Sequence, residues 1–388
     1  MKIAVITSGI LPVPAVQGGA VENLIDFYLE YNDIHKLHDI TVFSVYHPDV
    51  KTHPALQSKV NRYEFVDINN WWFKLEMRLY GLTHHNDCYY HNLEYFFEKV
   101  YKKIESQRFN LIILENRPGF AIKLKQRIPN IPIVSHIHTN MLYEYSEQTK
   151  KIFDSTDLFI TVSNFLKEKM EAIGIPAKIV TVYNGLDNSL FYKDVKPIPR
   201  KEFGFKEEDF VVVFTGRLVP DKGIKELLLA FQKLQDQKDI KLLVIGAENF
   251  ADSSNKSPFL TELKQLAETL KGQVVFTGFI PYRRLPQYLA VSNVMVVPSH
   301  INEAFGMTCI EACAMGLPVI ATDDGGIPEA LVEQRHITID KNGDLPQLIA
   351  IAIKTIKDNY LVYQGNNIQP SFTKNTYAKT LLENLSFT

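Results

Sequence analysis

The chain alternates short apolar, β-rich runs with stretches of helical length, and it does so twice. Runs at 2–7, 40–45, 111–114, 131–137, 158–162 and 178–182 are separated by helical segments. Strands separated by helices must cross over, and crossovers produce mostly parallel sheets. The pattern breaks over 183–199, where Asn184-Gly185 and then Pro197 and Pro199 interrupt it, which makes this stretch the linker candidate. It restarts with strand runs at 211–215, 241–245, 274–277, 294–297 and 318–322, interleaved with helical runs at 224–234, 259–270, 285–291 and 306–315. The expectation is an α/β chain of two doubly wound, mostly parallel sheets, with six strands in the first and five in the second. A length of 388 residues agrees with two domains. A helix-like stretch at 372–385, after Pro370, has no strand following it and is free to dock on the first domain.

Several function classes drop out. Lys plus Arg is 42 against 44 for Asp plus Glu, so no overall basic field exists to hold a polyanion, and nucleic acid is not an expected partner. Three cysteines, Cys88, Cys309 and Cys313, give neither a disulfide framework nor metal-type spacing. No apolar run approaches 18 residues and the start MKIAVITSGI lacks leader character, so the chain is expected to be cytosolic. No two glycines are two positions apart and no Gly-Lys pair occurs, which removes the dinucleotide fingerprint and the P-loop. No two aspartates are separated by one residue, so no carboxylate pair is available to hold a metal beside a diphosphate. His136 and His138 share one strand face but lack further ligands at recognisable spacing, so no metal is expected. His84-His85 and His91 read as loop and helix decoration.

The segment 298–315, PSHINEAFGMTCIEACAM, follows an apolar strand. Gly306 turns the chain into a helix whose first free amides, Phe305 to Thr308, suit an anion. Glu311 sits among small apolar residues of that helix, either as a structural carboxylate or as an acceptor for donors that a ligand brings. Glu303 precedes the turn by a few residues, and the two carboxylates suit vicinal sugar hydroxyls. At 214–223, FTGRLVPDKG, Arg217 and Lys222 end a strand between Gly216 and Gly223. Open α/β sheets bind ligands at that edge, and two cations with a helix start can neutralise a diphosphate without metal. In the first half, Gly18-Gly19 lets backbone approach a ligand. His138 ends a central strand and is expected to face an interdomain cleft, and Glu115, Asn116 and Arg117 end the preceding one as a polar rim.

Glu303 and Glu311 with Phe305-Gly306, followed by GLPVIATDDGGIPEAL, resemble the retaining glycosyltransferases of family 4, which have the GT-B fold of two facing Rossmann-like domains. TGRLVPDKG, VYNGLD at 182–187 and FTGFIP at 276–281 match further motifs in order, so the resemblance covers nearly the whole chain. It implies domains at 1–188 and 189–369, with 370–388 crossing back to the first, and a nucleotide sugar as donor. Arg217 and Lys222 would hold the diphosphate, with Gly216 beside them, and Glu311 the ribose hydroxyls. Glu303 and the amides of Phe305, Gly306, Met307 and Thr308 would hold donor sugar and phosphate, and backbone at Phe279 would meet the base. Gly18 and Gly19 would close over the phosphates. His138 would touch the reacting carbon, and it is preferred to His136 because Thr139-Asn140 follows it. No cofactor is implied.

The expected reaction moves a hexosyl group, with retention, to a glycan or lipid-linked hydroxyl. Uridine is favoured over guanosine in the donor, although no single residue at 242–251 or around Phe279 decides the base. An epimerase or hydrolase on the same fold, or a silent partner of another transferase, stays open. The stretch Trp71 to Tyr80, WWFKLEMRLY, reads equally as a bilayer-facing helix giving peripheral membrane contact or as part of the core or acceptor site.

Overall fold

The computed structural model describes residues 1–84, 88–248 and 257–386. His85 and positions 249–251 of the stretch considered for base recognition lie outside them. The chain divides into two compact units, residues 1–185 with 374–388, and residues 186–373.

Unit 1 holds β1 (Lys2–Ile6), β2 (Asp39–Val45), β3 (Asn61–Val66), β4 (Leu111–Glu115), β5 (Ile133–Ile137), β6 (Leu158–Thr161) and β7 (Ile179–Thr181). They form one sheet in the order β3-β2-β1-β4-β5-β6-β7, every neighbouring pair parallel. Seven strands stand where six were expected. The additional one, β3, is an edge strand with β2 on one side only, and its run NRYEFV exposes Arg62 and half-exposes Tyr63 and Glu64. A half-solvated edge carries charge and does not read as an apolar run.

Unit 2 holds β8 (Phe210–Thr215), β9 (Ile240–Ile245), β10 (Val274–Gly278), β11 (Val294–Val297), β12 (Val319–Thr322) and β13 (His336–Ile339), ordered β10-β9-β8-β11-β12-β13 and parallel throughout. The sixth strand, β13, corrects the expected five. It is an edge strand, HITI, with only Ile339 buried, so it does not read as an apolar run. The helix Leu345–Asp358 that follows buries Leu345, Ile349, Ala352, Ile353 and Ile356 against the sheet, so a complete βα unit lies beyond 322.

Both sheets reverse their strand order once, between β1 and β4 and between β8 and β11. Loops leaving the carboxyl ends of these strand pairs splay apart, which leaves a crevice for ligand. The C-terminal helix Lys374–Asn384 packs on the helix Ala20–His35, burying Tyr377, Ala378, Leu381 and Leu382 beside Leu24, Ile25 and Tyr28, and Lys374 Nζ lies 3.3 Å from Glu30 Oε2. Each buried leucine contributes roughly 1.5–3 kcal/mol of transfer free energy. The two segments that join the units lie side by side: Leu186 bridges Thr373, and its N–H donates to the Phe372 carbonyl at 2.8 Å. Among the described residues no helix is long and apolar enough to cross a membrane.

Candidate active site

In unit 2 the loops after β8 and β11 meet at the reversal of strand order. The His300 N–H donates to the Asp221 carbonyl at 3.2 Å, tying one loop to the other. Gly223 is required at this junction, because φ is +69° and a Cβ would fall 2.0 Å from the Pro298 carbonyl oxygen. The close approach brings the half-buried Lys222 into a direct ion pair with the half-buried Glu303. Arg217, on the same loop, is exposed and makes no ion pair among the described residues. Gly216 precedes it at the end of β8.

Glu303 is itself clamped. Its N–H donates to Asp324 Oδ2 at 2.7 Å, and its carbonyl accepts from the Gly326 N–H at 2.8 Å. Asp324 is 0% exposed, and its other oxygen accepts from Lys341 Nζ at 2.7 Å. Gly325 lies so close that a Cβ would sit 2.1 Å from the Glu303 carbonyl oxygen. Asp324 and Lys341 were not singled out from sequence, although the doublet Asp323-Asp324 before two glycines was the available signal.

The helix Met307–Ala314 begins after Gly306, whose φ of +106° turns the chain, and no side chain caps its first amides. Phe305 and Gly306 are buried and Met307 and Thr308 half-buried at this start. The uncapped helix start and its dipole together favour an anion there. Glu311, inside the helix, is buried, and burial pushes its carboxyl up to about 8. Phe279 follows β10, two strands from β8, with its side chain exposed.

In unit 1 the sequence expectation of a polar rim is corrected: Glu115 is 0% exposed, and Asn116 and Arg117 are buried too. Parallel register sets Glu115 opposite His136, so two strand ends place a carboxylate between two imidazoles. Glu115 Oε2 lies 2.9 Å from His138 Nε2 and 3.0 Å from His136 Nδ1, and Oε1 accepts from the Tyr28 hydroxyl at 2.9 Å. Burial raises the Glu115 carboxyl, but the imidazoles outweigh it and hold the group well below the usual carboxylate range. Burial, then His136, pushes His138 down to about 4. Glu115, His136 and His138 are the one His/carboxylate trio among the described residues compact enough to suggest a metal; His138 Nε2 is hydrogen-bonded to Glu115, while both ring nitrogens of His136 and Nδ1 of His138 are buried without a hydrogen-bond partner.

Asn116 adopts φ +56°, and its Oδ1 accepts from the His138 N–H at 3.1 Å. Arg117 turns inward, donating to the Ser8 and Asn116 carbonyls at 2.9 and 2.8 Å. Half-buried Gly18 and Gly19 lead into the helix Ala20–His35. Glu22, which sequence reasoning missed, is buried against Gly19, and burial raises its carboxyl to about 7. A cavity of about 310 Å³ lies beside the ends of β4 and β5, with Tyr89, Pro118, Met141, Tyr143, Glu144 and Gln148 in its lining.

The helix Trp71–Thr83 has two apolar faces. Phe73 with Met77 and Tyr80 packs inward, whereas Trp71 and Trp72, each 61% exposed, turn outward with Leu75, Leu79 and Leu82. The tryptophans therefore lie outside the core. Lys74 and Arg78 are carried by the same helix.

Residues 35–190 match the model described as Glycosyltransferase Family 4, and residues 195–375 the model described as Glycosyl transferases group 1. The chain is 27% identical over 371 residues to Spore coat protein SA of Bacillus subtilis (strain 168), covering 92% of this chain and 90% of that one. It is 27% identical over 232 residues to lipopolysaccharide 1,2-N-acetylglucosaminetransferase of Salmonella typhimurium (strain LT2), covering 60% and 59%. Alr3699/HepE of Anabaena, solved in complex with UDP and glucose, superposes over 100% of both chains with a TM-score of 0.74 at 22% identity. Two family models that between them span both sheets, on a pair of parallel α/β units with GT-B neighbours, establish that the chain is a glycosyltransferase belonging to family 4.

Proposed function

We propose that this enzyme moves a hexosyl group from a nucleoside diphosphate sugar, UDP in preference to GDP, to a hydroxyl of a glycan or glycolipid in cell-surface polysaccharide or glycoconjugate synthesis, with retention at the anomeric carbon. The observation that carries the reading is the Lys222–Glu303 pair beside an uncapped helix start. Two cations and an uncapped helix start supply positive charge where a diphosphate would leave. The shared fold with Alr3699/HepE, solved with UDP and glucose, supports a nucleotide sugar as donor.

In this mechanism the bond from the anomeric carbon to phosphate loosens first. Arg217, Lys222 and the amides of Phe305 to Thr308 stabilise the departing diphosphate, Glu303 holds Lys222 and the sugar, and Glu311 takes the ribose hydroxyls. A phosphate oxygen accepts the proton of the acceptor hydroxyl on the face the nucleotide leaves, so the new bond forms there and configuration is retained. His138 is assigned to the transferred sugar, Gly18 and Gly19 to the phosphates and Phe279 to the base. The acceptor is assigned to unit 1, where the cavity by Tyr89 and Tyr143 is at the small end of the roughly 300–1,000 Å³ range of ligand sites and suits one sugar ring. The outward Trp71–Leu82 face supports peripheral contact with a bilayer that carries a lipid-linked acceptor.

The test is product formation from a panel of UDP- and GDP-sugars, with and without sugar-lipid extracts, each in EDTA and in Mn²⁺. Transfer with the anomeric configuration of the donor is expected. Product without acceptor would identify an epimerase or hydrolase, and no product from any donor would identify a silent partner. Loss of activity in EDTA with rescue by Mn²⁺ would overturn the metal-free mechanism.

A further inference from the structure

We propose that Glu115 is a positioning residue that fixes His138 with its proton on Nε2, leaving His138 Nδ1 as a bare acceptor for a hydroxyl of the substrate. The proposal rests on the transferase reading for its substrate but not for its geometry. A neutral imidazole has one donor nitrogen and one acceptor nitrogen, and the bond made by one decides the role of the other. Glu115 Oε2 lies 2.9 Å from His138 Nε2. An ionised carboxylate only accepts, so Nε2 carries the proton. His138 Nδ1 is then a lone pair, and it is buried with no hydrogen-bond partner. A buried acceptor without a donor is costly unless a ligand supplies one. Sugar hydroxyls are such donors.

The surroundings hold the arrangement in place. Tyr28 occupies the other Glu115 oxygen at 2.9 Å, and His136 Nδ1 stands 3.0 Å from the oxygen that His138 uses, so the carboxylate cannot rotate without breaking several contacts. Asn116, in the left-handed region, binds the His138 backbone N–H and the Thr139 hydroxyl through one oxygen, at 3.1 and 3.2 Å. His138 thus receives its orientation through its ring and through its main chain. A non-glycine residue with positive φ at a strand end is strain of the kind that active sites retain. The two imidazole centroids are only 4.0 Å apart, so the rings pack on each other as well as on Glu115.

Glu115→Gln tests this with little change of shape. A glutamine at 115 replaces an obligate acceptor by an amide that can also offer an N–H to Nε2, so the proton is no longer held there, and where it passes to Nδ1 the substrate acceptor becomes a donor. Removing an orienting carboxylate gives a wrong imidazole tautomer by the same logic elsewhere. The expected loss is roughly tenfold to a hundredfold in kcat/KM, with UDP affinity, read by calorimetry, unchanged. Nitrogen-15 spectra of histidine-labelled protein, with His138 assigned by its absence in His138→Asn, should show Nε2–H in the wild type and Nδ1–H in Glu115→Gln. Donors lacking single hydroxyls give the third reading: the hydroxyl whose removal costs the wild type most should cost Glu115→Gln little.

A wild-type spectrum with the proton on Nδ1, or full turnover in a Glu115→Gln protein whose spectrum shows the proton moved to Nδ1, overturns the proposal. If Glu115→Gln does not fold, the wild-type spectrum and the deoxy series with His138→Asn decide. If the wild type transfers no sugar from any donor, the proposed function fails, while the spectrum still judges the tautomer on its own.

Discussion

Lys222 and Glu303 lie 81 positions apart and close a direct ion pair between the loops that follow β8 and β11. The pair holds the lysine ammonium in place before any donor arrives, so in the proposed mechanism little reorganisation is needed when the diphosphate departs. Lys222→Ala should lose at least about a hundredfold in turnover, the range seen when one charge-stabilising donor is removed. Near-normal turnover would move the leaving-group site elsewhere.

Asp324 holds Glu303 from behind. Asp324→Ala leaves the Glu303 amide and the Lys341 ammonium without their acceptor, and a destabilisation of roughly 1–3 kcal/mol is expected in urea unfolding. Turnover should fall with it. Asp324→Asn keeps an acceptor for the amide and should recover most of the activity.

Glu311 makes stability fall with rising pH. Its carboxyl ordinarily titrates near 4.5 and burial raises it to about 8, so between those values the folded state holds a proton that the unfolded state releases. Stability declines across that window by at most about 1.4 kcal/mol per pH unit. Glu311→Gln, which resembles the protonated form, should match the wild type near pH 5 and exceed it at pH 8.5. If Glu311 accepts ribose hydroxyls, UDP affinity should rise with pH toward 8 in the wild type and stay flat in the variant. Calorimetric titration at three pH values reads this.

Trp71 and Trp72 stack on each other, centroids 3.8 Å apart, on the outside of unit 1. Trp71→Ala with Trp72→Ala should abolish flotation with vesicles containing phosphatidylglycerol. Because both side chains are exposed, folding stability should stay within about 0.5 kcal/mol per site. Equal behaviour of both proteins in flotation would remove the membrane role.

Most of both sheets is legible because a strand buried on both faces must be an apolar run, as Val211 to Phe214 and Ile112 to Leu114 are. Two of the four edge strands, β3 and β13, escape for the converse reason, and β3 with its Arg62 and Glu64 shows it. The helix Leu345–Asp358 is different, since its apolar spacing stands plainly in the sequence. Lys222 and Glu303 are readable separately, each at a strand end with glycine nearby, but their pairing depends on the order of β8 and β11. Glu115 and His138 are 23 positions apart, and only the adjacency of β4 and β5 puts a carboxylate onto an imidazole. Asp324 acts through the backbone of another residue, a relation that composition and spacing do not carry.

The helix Lys374–Asn384 belongs to unit 1 although every residue of unit 2 precedes it in the chain. During synthesis, unit 2 is contiguous and can close as soon as it leaves the ribosome, whereas the face of the helix Ala20–His35 that receives Tyr377, Leu381 and Leu382 stays bare until the last. The helix Ala20–His35 therefore completes its packing only after unit 2 has been made. For the nascent chain this sets an order of maturation, with unit 2 complete before unit 1. For anyone dividing the gene, a fragment ending at residue 185 would carry an open apolar groove, and it would need residues 374–385 supplied in trans to close it.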